Sequence, residues 1–179
     1  MQACVYETSW SEDSRIAASR NGPAWIESKR PELDLRQWID LPTLAEWIQG
    51  EIEPFIPLSM GLALAAPNAV DRFRKMLTIL CFGYSSGLTR SAEIAEASRR
   101  EPEFQSIAGG FHPFADELRN FRRRYRALLE VVLTRLFMRA AVLNPEFARE
   151  AAPRELKSQF ETRARDLLNV ARHYDSCED

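Results

Sequence analysis

A chain of 179 residues with 45% apolar content is long enough to bury one sizeable core and short for two, so one domain with terminal extensions is expected. Its net charge of −2 excludes a uniformly basic nucleic-acid binder, but the charge is polarised: residues 1–67 hold 5 basic and 10 acidic side chains, residues 68–142 hold 13 and 8, and residues 143–179 hold 6 and 8. Cys4, Cys81 and Cys177 are odd in number, widely separated and without a C-x-x-C pair, which suggests neither a disulfide framework nor a zinc site and fits a reduced, cytoplasmic setting.

In chain order, residues 1–40 read as an irregular arm, with Asn21-Gly22-Pro23 as a turn signal. Thr43 and Glu46 have capping-box spacing after Pro42, and Leu44, Trp47 and Ile48 follow at helical spacing, which predicts a helix over 43–54. Residues 54–67 hold three prolines and a glycine and read as an apolar linker. The longest apolar stretch falls there, far short of the ~20 residues a membrane span needs, and no secretory leader opens the chain.

Asn68 is placed to cap a second helix with Asp71 in its first turn, along which Val70, Phe73, Met76, Leu77, Leu80, Cys81 and Tyr84 form one stripe. Gly87 ends it. Ser91 starts a third helix that stops ahead of Pro102, and a helical turn around Phe104 and Ile107 is stopped by Gly109-Gly110. The longest periodic segment, 114–141, carries Leu118, Phe121, Tyr125, Leu128, Leu129, Val132 and Leu136 on one face. Arg119, Arg122, Arg123 and Arg126 are expected on a separate, exposed face. Pro153 suits the first position of a last helix through Leu156, Phe160, Ala164, Leu167, Ala171 and Tyr174. With no strand pattern and no internal repeat, the fold is expected to be all-α: a single bundle of about five to six helices, with an arm at 1–40, a helical domain at 41–142 and a helical extension at 143–179.

The arginines have an ordinary explanation, since arginine is a good helix former whose long stem covers apolar surface. Against it, three consecutive arginines near the start of a long helix oppose the helix dipole by a few tenths to ~1 kcal/mol each, a cost more readily tolerated where an anion offsets it. Phe111, His112 and Phe114 have the chemistry to stack on bases, although aromatics leading into a helix more often anchor a core. No nucleophile elbow, phosphate loop, H-E-x-x-H or dinucleotide fingerprint is present, and nothing nominates an enzyme, a cofactor, a metal or a small-molecule substrate.

Residues 67–137 carry a longer pattern: Pro67, then Phe82-Gly83-Tyr84-x-x-Gly87, Ser91-x-x-Ile94-x-x-Ala97-x-Arg99, Phe104-x-x-x-Ala108-Gly109-Gly110-x-x-Pro113, and Phe121-Arg122-Arg123-Arg124-Tyr125 with Leu128 and Leu129. In order and spacing this resembles the N-terminal helical domain of bacterial insertion-sequence DDE transposases. The resemblance implies a helical domain that helps bind the element's double-stranded DNA ends or assemble the complex. It makes Arg119, Arg122, Arg123, Arg124 and Arg126 the expected phosphate contacts, with Arg90, Arg99 and Arg100 as secondary ones, contacts of a kind that fix register without reading sequence. The family places a strand with its first catalytic aspartate after the position of Ala141, whereas residues 143–179 read as helical, so strand cleavage is not implied. The alternative function is a helical protein–protein interaction module, such as a homodimer, derived from the same scaffold without DNA binding.

Overall fold

Asp40 begins the first helix, ahead of the Thr43 start that the capping-box spacing suggests. In the computed structural model, which describes residues 34–37, 39–56, 68–143 and 153–177, α1 spans Leu41–Ile52. The Asp40 carboxylate accepts from the Thr43 amide at 3.0 Å and from its hydroxyl at 2.8 Å, while Pro42 occupies an early position where no amide is needed. Those two hydrogen bonds hold the Asp40 carboxyl below its ordinary range. The cap therefore strengthens above the ordinary carboxylate pKa and is lost as pH falls through the depressed one. Leu44, Trp47, Ile48 and Ile52 form the buried face of α1. Short 3-10 turns flank it at Leu35–Gln37 and Glu53–Phe55. The arm expected at 1–40 and the linker expected at 54–67 lie largely outside the described residues.

Helix α2, Ala69–Ser85, is the axis of the fold. Its first turns bury one face through Phe73, but from Met76 to Ser85 every residue is buried, as a helix surrounded on all sides requires. It packs against α1 and against the elements that follow. At Gly83 an added Cβ would lie 2.9 Å from both Cγ1 and Cδ1 of Ile94, so glycine is what lets α3, Ser91–Arg100, approach α2. Helix α4, Pro102–Ala108, starts on proline and ends with Gly109 in the left-handed region (φ 57°). There the Gly110 amide reaches back to the Gln105 carbonyl at 3.1 Å, a terminus that a β-carbon would strain.

The segment expected as one helix over 114–141 is two. Helix α5 spans Ala115–Arg124 and α6 spans Arg126–Leu143, and Tyr125 leaves the helical region between them with φ −113° and ψ 27°. At the front of α5, the Glu117 carboxylate accepts from the Phe114 amide at 3.0 Å, tying down one amide that the helix leaves without a partner. Helix α7, Pro153–Cys177, begins on the expected proline and lies antiparallel along α6. Phe160 meets Phe137 near one end, and Arg165 donates to Glu130 at 2.9 Å further along.

All seven α-helices among the described residues, one or two more than expected, belong to one compact unit, Glu32–Asp179, and no strand occurs among those residues. The fold is an all-α bundle. A continuous core runs from Leu44 and Ile48 through Leu77, Leu80 and Phe82 to Leu133, Phe137, Ala164 and Leu168.

Candidate nucleic-acid interface

Arg122 is not on the surface. It is 4% exposed, and its guanidinium ion-pairs with Asp175, itself 6% exposed, near the end of α7. The other terminal nitrogen donates to the Tyr84 hydroxyl at 2.8 Å and to the Thr89 carbonyl at 3.4 Å. Burial pushes the Tyr84 phenol up to about 12, against the opposing effect of the Arg122 charge, so this hydroxyl stays protonated and neutral. Asp175 also accepts from the Ser91 amide at 3.4 Å and the Ser91 hydroxyl at 3.3 Å. Helix α3 has no side-chain cap of its own at Arg90, and α7 supplies one from a distant part of the chain. A carboxylate near a helix C-terminus is disfavoured by its own helix dipole, yet here the same group sits at another helix's N-terminus.

This burial corrects the expectation that Arg122 belongs to an exposed basic face. At 100° per residue Arg122 lies about 40° from Leu118 on a helical wheel, inside the apolar stripe, and its charge is accepted there because a carboxylate and two oxygens meet it. The local signal was a charged residue in register with Leu118, Tyr125 and Leu129. Its partner, on another helix, carried none.

The remaining arginines divide by partner. Arg119 pairs with Asp116 at 2.6 Å along its own helix. Arg90 lies 3.8 Å from Glu93 and stacks over Tyr174 at 4.4 Å. Arg99 and Arg100 share Glu96, at 3.8 and 2.6 Å, and Arg99 also covers Phe114 at 5.3 Å. The exposed pairs of Arg99 and Arg100 contribute about 0.2–1 kcal/mol and yield readily to a stronger anion, whereas the Arg119 and Arg90 side chains are largely shielded, at 15% and 21% exposure. Arg126 donates to the Asn169 amide oxygen at 2.7 Å, one step along the α7 seam from the Arg122–Asp175 pair. Arg123 is exposed, and Arg124, also exposed, lies with its guanidinium 5.4 Å from the Tyr125 ring centre.

The break at Tyr125 therefore gathers Arg123, Arg124 and Arg126, none with a carboxylate partner among the described residues. It also makes Arg126 the first residue of α6, whose first turn carries no acid. Arg123 and Arg124 close the last turn of α5, the end where cations are favoured, which removes the dipole cost expected for arginines at the start of one long helix, while Arg126 opens α6 and turns toward Asn169. No family model, curated protein or solved structure matches the chain. The site is thus defined by geometry alone.

The leading aromatics separate. Phe111 is partly buried and packs on the core, as an anchor would. Phe114 is 66% exposed under Arg99, and His112 is exposed. His173 and Cys177 face each other one turn apart on α7, with Nε2 3.9 Å from Sγ. Among the described residues no group of three or more potential metal ligands occurs, and no helix is long and apolar enough to cross a membrane. Cys81 is buried, which pushes its thiol up and leaves it protonated.

Proposed function

We propose that this domain is a non-catalytic, transposase-derived helical module that contacts the phosphates of double-stranded DNA at the α5–α6 break. The single observation carrying this reading is the concentration of Arg123, Arg124 and Arg126, without carboxylate partners among the described residues, beside the first turn of α6. The resemblance over residues 67–137 supports the ancestry. The contact set is narrower than the sequence suggests, because Arg122 is committed to Asp175. Arg119, Arg99 and Arg100 contribute only after giving up an exposed acidic neighbour.

Titrating the chain with a short labelled duplex at several salt concentrations tests the reading. Affinity is expected to fall steeply with salt, and replacing Arg123 and Arg126 together by alanine should reduce the slope of log K against log salt by about two units, close to one per lost phosphate contact. Both positions lie outside the buried core, so folding is expected to survive. Absence of duplex binding at low salt, or an unchanged slope in the double variant, would overturn it.

A second reading, a protein interaction module, is favoured by a different observation. An open groove of about 380 Å³ lies between α2 and α5, floored by Phe73, Met76, Phe121 and Tyr125.

A further inference from the structure

The groove between α2 and α5 combines an apolar floor with an unbalanced rim. Phe73 meets Tyr125 edge-on at 5.0 Å and Phe121 at 5.5 Å, and Phe121 meets Tyr125 at 4.6 Å. Three aromatic rings thus form one wall, of which Phe121 and Tyr125 are partly exposed while Phe73 and, beside it, Met76 are almost wholly buried beneath them. Its volume, about 380 Å³, falls at the lower end of the ~300–1,000 Å³ typical of ligand-sized clefts. Arg72 and Arg124 line the rim against a single acid, Glu117. That acid is already committed twice, to the Arg72 guanidinium and to the Phe114 amide. Arg124 has no carboxylate facing it among the described residues and lies along the Tyr125 ring.

We propose that this groove docks an acidic amphipathic segment of a second protein, which seats one large apolar side chain on the Phe73–Phe121–Tyr125 wall and places a carboxylate against Arg124. The charge balance selects the partner: a neutral apolar segment would leave the Arg124 charge beside a dry contact, and a basic one would be repelled. An apolar anchor in a concave site with a charge at its edge is the arrangement in which a few residues carry most of an interface's energy. The groove shares Arg124 with the DNA reading, but Asn120 lines it while Arg123 and Arg126 do not, so those positions tell the two apart.

The test uses the full chain and a labelled twelve-residue synthetic peptide bearing one tryptophan flanked by aspartates, with a lysine-for-aspartate version as control, read by fluorescence anisotropy. The aspartate peptide is expected to bind at least tenfold more tightly than the lysine version. Filling the groove through Asn120→Trp, at an exposed position, should weaken it at least tenfold with an unchanged circular dichroism spectrum, as should Arg124→Glu. The Arg123→Ala/Arg126→Ala variant should bind the peptide as the parent does, which separates this result from the fate of the DNA reading. Equal binding of the two peptides overturns the proposal, as does a parent-like affinity in Asn120→Trp. Sedimentation showing a dimer that Asn120→Trp dissociates would assign the groove to a second copy of this chain and also overturn it, as would loss of duplex binding in Asn120→Trp with the peptide unaffected.

Discussion

Arg122→Ala is expected to destabilise the domain by about 3–5 kcal/mol, because it leaves the Asp175 carboxylate buried without its counter-charge. Asp175→Ala should cost a similar amount for the converse reason, and it additionally removes the carboxylate that caps α3 through Ser91. The two losses should not add. The double alanine variant leaves no uncompensated charge, so it should cost clearly less than the sum of the two single losses. Replacing both by apolar residues of similar bulk, Arg122→Met with Asp175→Leu, is expected to recover most of the stability, since burial of an ion pair roughly offsets its attraction. Urea unfolding of the four variants checks this. A loss below about 1 kcal/mol in Arg122→Ala would mean that the guanidinium is solvated, and the structural account of the site would fail.

The second large effect lies in α4. Phe104 is fully buried and meets Phe82 edge-on at 4.6 Å, so Phe104→Ala should cost about 3–5 kcal/mol through lost burial and the remaining cavity. With only seven residues and two of them buried, α4 has little else to hold it, and amide exchange there should rise more than in α2. Phe114→Ala, at a ring that is 66% exposed, is the control and should change stability by about 0.5 kcal/mol or less. A comparable loss in both variants would contradict the packing described.

These two predictions mark where sequence and structure part. Phe104, Leu80 and Phe160 were legible as core because apolar spacing and breakers such as Pro102 and Gly109-Gly110 act locally. The split of the long helix at Tyr125 was not legible, since no proline or glycine stands there and the apolar period continues across it. Arg122 was misplaced because residue type outweighed register: on the wheel it sits with Leu118. What permits its burial is Asp175, which no local window contains. The Arg123–Arg124–Arg126 cluster was visible as charge, but the exposed remainder could be sorted only once Glu96, Asp116 and Asn169 were seen beside their arginines.

Ser91 and Asp175 are 84 positions apart, which gives the cap on α3 a kinetic side. As the chain leaves the ribosome, α2, α3 and α5 emerge well before the carboxylate that completes them, and closing so long a loop is slow relative to local helix formation. Arg122 thus spends that interval waiting in water. Nascent chains arrested before residue 175 should remain protease-sensitive across α3 and α5, and those arrested far enough beyond it should abruptly become resistant.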